Sequence, residues 1–151
     1  MASRQKQQQK KALSQAVRHS EEGVRKANPD ATAHPRAARA EEGLLGLVLL
    51  HPDYLSAVAE ALPPDQMVTA FNRRVYAQLL DRQRQGLLTE LTLLSADYED
   101  VEMAYLSHMV QRAREGAQTP EQALAYARVV AQEQRRAGCS PIPHPSGSDT
   151  A

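Results

Sequence analysis

The chain has 151 residues and equal numbers of basic and acidic side chains, 18 of each, which fits one domain with tails. With no Trp, one Phe and five Tyr, its core must be built from Leu, Val, Ala and Met, a composition that suits helix-on-helix packing better than a β-sandwich. The single cysteine, Cys139, excludes an internal disulfide and a cysteine zinc site. Residues 1–11 are polar and no apolar run is long enough to span a bilayer, so we predict no signal peptide, no transmembrane helix and a cytoplasmic protein.

Residues 1–28 form a basic arm. They hold seven Lys or Arg against two Glu, a net charge of +5, whereas residues 29–138 hold eleven Arg against fifteen Asp or Glu, a net charge of −4. The arm is rich in good helix formers and ends where Pro29 begins, so we predict a helical arm or linker. Lys6, Lys10 and Lys11 are candidate phosphate contacts. No aromatic residues for base stacking lie between them, and a solvated helical linker explains them equally well.

A helix predicted over residues 35–50 is the element around which the chain is organised. Glu41 and Glu42 precede its apolar half, and we interpret them as partners of the positive end of the helix dipole. The apolar half has no water-facing stripe, so other helices must surround it. Gly43 and Gly46 each cost about 1 kcal/mol of helix propensity relative to Ala, and we expect them to let a neighbouring backbone come close. This helix is therefore predicted to be the central post of a small bundle.

Amphipathic spacing and Pro or Gly breaks predict the remaining elements. Helices are expected over about 53–62, 69–85, 97–114 and 119–136. In the second of these, apolar residues such as Phe71 and Val75 face inward, while Asn72 and its arginine neighbours face outward. Residues 87–96 are compatible with a short strand, but no partner strand is evident, so a short helix is favoured.

The last helix has a sharp predicted start at Thr119-Pro120, with Gln122 positioned to complete a capping box. After it, residues 139–151 hold three Pro, three Ser and one Gly with almost no large apolar side chains, and we expect them to be disordered. The predicted organisation is a basic helical arm or linker (1–28), a helical bundle (29–116), a C-terminal helix (117–138) and a disordered tail (139–151).

No catalytic pattern is found. The five histidines are scattered through different segments without zinc-ligand spacing; they are His19, His34, His51, His108 and His144. No glycine-rich loop matches a phosphate-binding motif, and no Ser lies in a nucleophile elbow. We therefore predict no catalytic residue, cofactor, metal or small-molecule substrate, and the residues favour an all-α interaction module over an enzyme.

The order of the segments resembles the C-terminal, helicase-binding domain of bacterial DnaG-type primases. The matching blocks are residues 36–45 (RAARAEEGLL), 51–55 (HPDYL), 62–69 (LPPDQMVT) and 71–76 (FNRRVY). The N-terminal domain of the DnaB-type replicative helicase is similar in fold and carries a related pattern. The basic arm and the Asn28-Pro29 step that leads into the first block favour the primase.

The resemblance implies an all-α bundle of about six to seven helices, with a basic N-terminal helix and a C-terminal helix, that binds the N-terminal domain of the replicative hexameric helicase. This contact brings primase to the replication fork for RNA primer synthesis. The parent protein is then a DNA primase, a DNA-directed RNA polymerase whose catalytic core this chain lacks, so the chain itself is not expected to be an enzyme.

The last helix is the predicted helicase-binding element, although the second hairpin helix usual in the family is missing after Arg136. The predicted contacts are Tyr126, Val129, Val130, Glu133, Arg135 and Arg136. Tyr126 and the two valines are equally compatible with packing into the bundle.

Two alternatives stay open. One is the N-terminal domain of a DnaB-type helicase, which is expected to self-associate into rings. The other is a nucleic-acid adaptor that uses the basic arm, whose DNA affinity should fall steeply with salt and disappear when residues 1–28 are deleted.

Overall fold

The computed structural model describes residues 22–138, and every regular element in that range is a helix. Six α-helices are seen, with α1 described over residues 22–27; the others are α2 Pro35–Leu50, α3 Leu55–Ala61, α4 Ala70–Arg84, α5 Asp100–Glu115 and α6 Pro120–Gly138. Short 3-10 helices lie between them, at Pro29–Ala31, Pro52–Tyr54, Pro64–Gln66 and Leu91–Asp97. The predicted all-α bundle is confirmed. The rest of the arm and the tail predicted to be disordered lie outside the described residues.

Helix α2 lies at the centre of the bundle. It packs along α5 and α6 and also contacts α4. Ten of its sixteen residues are buried, and Leu44, Leu45, Leu47 and Val48 are at most 1% exposed. Burying each such side chain contributes about 1.5–3 kcal/mol, so this helix supplies a large share of the hydrophobic stabilisation.

The two glycines of α2 lie where neighbouring elements approach most closely. A Cβ atom at Gly46 would overlap with the backbone carbonyl oxygen of Met109 on α5, and a Cβ at Gly43 would lie 2.5 Å from Cζ of Tyr126 on α6. Since real Cβ contacts are longer than this, a side chain at Gly46 would require the backbone of α5 to move, whereas one at Gly43 would require the ring of Tyr126 to shift. The expected close approach of a neighbouring backbone is found at Gly46, whereas at Gly43 the neighbour is an aromatic ring.

The starts of α5 and α6 follow the capping rules. Glu99 and Glu102 form a capping box at the start of α5, in which Glu99 N–H donates to Glu102 Oε1 over 2.8 Å. At the start of α6, the Thr119 hydroxyl accepts a hydrogen bond from the Gln122 N–H over 3.1 Å. These side chains satisfy backbone donors that the first turn of a helix leaves free.

Glu41 and Asn72 are both fully buried, in contrast to their predicted positions. Glu41 Oε2 accepts backbone N–H groups of Val68 (2.5 Å) and Thr69 (3.3 Å), while Oε1 accepts the Thr69 hydroxyl (2.5 Å) and Asn72 Nδ2 (3.1 Å). The interpretation of Glu41 as a partner of its own helix dipole is therefore wrong. Because Thr69 precedes α4, the carboxylate instead lies at the positive end of α4. The prediction that Asn72 faces outward is also wrong, because its amide donates to this buried carboxylate.

The buried polar network extends to the end of the arm and to α5. Asn28 Nδ2 donates to the Thr69 hydroxyl and to the Tyr105 hydroxyl, each over 3.2 Å. The Tyr105 hydroxyl in turn donates to Glu42 Oε2 over 2.7 Å. Burial raises the pKa of Glu41, against the opposing effect of its hydrogen bonds, and burial together with the Glu42 charge raises the pKa of Tyr105. The network thus joins the end of the arm, α2, the start of α4 and α5 through hydrogen bonds centred on two carboxylates.

No single helix among residues 22–138 is long and apolar enough to cross a bilayer. Residues Pro35–Leu50 and Pro52–Ala61 meet that test only when taken together, and they are bent by 117° at their junction.

Gly46→Ala should destabilise the bundle by about 3 kcal/mol, because the added methyl group forces α2 and α5 apart in a packed core. Urea unfolding followed by circular dichroism should show a lower midpoint with helix content kept at zero urea. Gly138→Ala is the matched control, since nothing lies within 4 Å of its added Cβ. A Gly46→Ala protein as stable as the Gly138→Ala protein would contradict the proposed contact.

Glu41→Ala should lower the free energy of unfolding by about 3–5 kcal/mol, because it leaves buried donors of Val68, Thr69 and Asn72 without an acceptor. Glu41→Gln should lower the free energy of unfolding much less than Glu41→Ala does. Its amide nitrogen can donate to Asn72 Oδ1, which lacks a partner among the described residues, once the Asn72 amide is turned over.

The same pair of variants tests the ionisation of Glu41. Its pKa is raised on folding, so the native state binds the proton more tightly than the unfolded state. The free energy of unfolding should therefore fall as pH rises from about 4.5 towards the folded-state pKa. Glu41→Gln should remove this part of the pH dependence; an unchanged pH profile would show that Glu41 does not titrate differently in the two states.

Candidate interaction surface

The last two α-helices lie along α2 instead of packing mainly against each other. The connection between them is held by Gln118, whose Oε1 lies 2.9 Å from His51 Nε2 and whose carbonyl accepts the Tyr54 hydroxyl over 2.9 Å. The rings of His51 and Tyr54 are stacked at 4.9 Å. These contacts join the α5–α6 connection to the turn between α2 and α3, so both connections lie at the same end of the bundle.

The predicted contact residues on α6 are divided between the core and the surface. Val130 is fully buried, and Tyr126 and Val129 are partly buried against the core. Arg135 and Arg136 are exposed. Val130 therefore packs into the bundle, Tyr126 and Val129 keep part of their surface accessible, and the end of the helix presents Arg135 and Arg136 to solvent.

Glu133 lies beside two of the surface arginines. Its Oε2 is 3.4 Å from Arg136 Nη1 and 3.9 Å from Arg36 Nε, close enough for ion pairs but not aligned for hydrogen bonds. Both arginine side chains are more than half exposed, so solvent screening keeps the stabilisation small. The candidate phosphate contacts Lys6, Lys10 and Lys11 lie outside the described residues.

A cleft of 390 Å³ lies between α2, α5 and the first half of α6. Its floor is apolar and its rim is charged. The lining residues include Leu47, Met109, Ala113 and Tyr126 on the apolar side and Arg39, Glu42, His108, Arg112 and Glu115 on the charged side. A second depression adjoins it, because both are lined by Arg39, Glu42, His108 and Arg112, and it adds Arg25 and Thr32. We call the two depressions together the α2–α5 groove.

Three leucines form an exposed apolar patch on the connection between α4 and α5. Leu88 is 65% exposed, Leu87 47% and Leu93 45%. A single exposed leucine is ordinary, but three lie within seven residues of this one connection. We call these three residues the leucine patch.

Within residues 22–138, no group of three or more His, Cys, Asp or Glu side chains is arranged to hold a metal ion. His51 is occupied by its contact with Gln118, while His34 and His108 are exposed and separate. His19 and His144 lie outside that range.

The groove is the feature that the sequence patterns missed. Arg39 and Arg112 are far apart in the chain, and each belongs to the polar face of a different helix. Only the packing of α2 against α5 brings them to one cleft. The close approach at Gly46 was the available signal, since it determines which residues of α5 lie opposite α2.

A family model for the DnaB-like helicase N terminal domain matches residues 33–132. No curated protein matches the chain. No solved structure matches it.

The family match corrects the primase resemblance. The matched family is the helicase N-terminal domain, and nothing in the comparisons points to a primase, so the assignment to a primase and the primase-recruiting function are wrong. The blocks on which the resemblance rested all lie within residues 33–132, which the helicase family model matches. The features that had favoured the primase, the basic arm and Asn28-Pro29, lie outside the matched residues.

Proposed function

Because the chain belongs to the DnaB-like helicase N-terminal domain family, we propose that it is the N-terminal interaction domain of a DnaB-type replicative helicase. Its partners are then other subunits of the helicase ring, and its task is to hold subunits together during DNA replication. The observation that carries this proposal is the family match over about two-thirds of the chain. In this assignment the domain contributes contacts and no chemical step of its own, and it works in the bacterial cytoplasm.

The leucine patch is the surface we assign to contacts between copies. Its leucines are exposed in the single chain, and a second subunit would remove them from water. The segment that carries them is short and runs into the 3-10 helix Leu91–Asp97, and it is anchored by buried Thr89 and Leu94. An anchored apolar surface loses little conformational entropy when it is covered, which favours its use as a contact.

The prediction is concentration-dependent self-association of the chain. Sedimentation velocity from micromolar to submillimolar concentrations should show species larger than one chain. The double variant Leu87→Ser/Leu88→Ser should shift the association to higher concentration while keeping the thermal midpoint, because the leucines are already exposed in the single chain. Thr92→Ser, an exposed polar change in the same segment, is the control and should leave association unchanged.

The two parts of the proposal can fail separately. A chain that stays monomeric at all concentrations would contradict the function. A chain that associates, but does so equally in the double leucine variant, would keep the function and move the contact to another surface.

A further inference from the structure

We propose that the α2–α5 groove binds a phosphorylated ligand of nucleotide size, with its phosphates held by Arg25, Arg39 and Arg112. This goes beyond the assembly of helicase subunits and does not depend on it. The juxtaposition that carries the inference is three exposed arginines on one groove, two of which share a depression with apolar side chains and the ring of Tyr126.

The arginines of the groove are not neutralised by the rest of the described chain. Within residues 22–138, Arg25, Arg39 and Arg112 have no carboxylate within ion-pair distance. Elsewhere the arginines mostly have acceptors: ion pairs are formed by Arg36, Arg74, Arg84 and Arg136, and backbone carbonyls are bound by Arg73 and Arg82. Glu42 and Glu115 line the same groove but form no ion pair with these arginines, so the guanidinium groups keep free donors that an anion could accept.

Guanidinium groups are well suited to phosphate. Each presents a planar set of donors that matches two phosphate oxygens. Thr32, which lines the same depression, adds a hydroxyl donor. A ligand with two or more phosphates could therefore be contacted by several side chains from α1, α2 and α5.

Two carboxylates, Glu42 and Glu115, also line the groove. Glu42 accepts the Tyr105 hydroxyl over 2.7 Å, and Tyr105 stays a donor because its pKa is raised well above the usual range. Glu115 lines the other side of the cleft. Glu42 lines both depressions and favours neither, whereas Glu115 lines only the depression that holds Tyr126. Because Glu115 repels phosphate and can accept hydrogen bonds from amino or hydroxyl groups, the phosphates should lie towards Arg25 and the organic part towards Tyr126.

The size and floor of the cleft fit the organic part. A volume of 390 Å³ is within the range of small-ligand pockets, roughly 300–1,000 Å³. Leu47 and Met109 lie almost fully buried beneath the cleft. Its accessible apolar surface therefore comes from Ala113 and from the ring of Tyr126, which crosses Gly43. An apolar floor with an aromatic edge and a cationic rim is suited to a nucleoside phosphate better than to inorganic phosphate alone. The same chemistry is offered by a free nucleotide and by one unit of a single strand.

Isothermal titration calorimetry of the full chain at low salt tests the proposal. The probes are ADP, adenosine, pyrophosphate and the oligonucleotide dT10. We expect binding of ADP, dT10 or both, with adenosine and pyrophosphate each weaker than ADP. Arg39→Gln and Arg112→Gln should each raise Kd by about tenfold or more, because each removes charge-assisted hydrogen bonds. ADP or dT10 should also raise the thermal midpoint of the wild-type chain more than that of either variant.

Arg84→Gln is the matched control, since Arg84 is exposed and lies on α4, away from the groove. It should bind as the wild type does. All three variants should melt at the wild-type temperature without ligand, because the altered side chains are exposed.

The outcomes separate the sources of the ligand. Binding of ADP without dT10 identifies a free nucleotide, and binding of dT10 that ADP displaces identifies a strand. The proposal is overturned if neither binds at low salt, if the groove variants bind like Arg84→Gln, or if pyrophosphate binds as tightly as ADP. A response to a polyglutamate peptide with none to ADP or dT10 would also overturn it.

Discussion

The close approach of α2 to α5 at Gly46 is the constraint on which the rest of the structure depends. Because no side chain separates the α2 backbone from the Met109 carbonyl, the two helices are close enough to bury the leucines of α2 and to place Arg39 and Arg112 on the same cleft. The cost of a glycine in a helix is about 1 kcal/mol, which burial of a single leucine exceeds. The weak helix former is therefore favourable in the folded state, where tertiary packing outweighs local propensity.

Glu41 adds a second constraint of a different kind. Hydrophobic packing brings helices together without fixing their register, whereas a buried carboxylate must find particular donors. Glu41 finds them at the start of α4, where Val68 and Thr69 present backbone N–H groups that no helical carbonyl accepts. A rotation of α4 relative to α2 would leave the Glu41 carboxylate without donors and the Val68 and Thr69 N–H groups without an acceptor. The network therefore fixes how α4 packs against α2, and this requires a carboxylate to be removed from water.

Much of the fold could be predicted from the sequence because the residues that start and stop its helices act locally. Proline and capping residues mark the starts of α2 and α6, and the apolar run of α2 identifies the central helix. What could not be predicted depends on pairing between helices. Amphipathic spacing predicts Asn72 on the outer face with Arg73 and Arg74, yet its amide is buried and donates to a carboxylate thirty-one residues away. The α2–α5 groove was missed for the same reason, since periodicity describes one helix at a time.

The primase resemblance failed because the residues that carried it report on the core. In residues 36–45 most side chains are buried, and in residues 71–76 the buried ones include Phe71, Asn72 and Val75. Buried residues report on packing and carry no information about the partner, and one fold can serve different functions. Partner choice is determined by exposed residues, and here those are the leucine patch, the end of α6 and the arginines of the groove, most of which lie outside the matching blocks. Resemblance of core motifs therefore identifies the fold, and the partner must be inferred from the surface that this fold exposes.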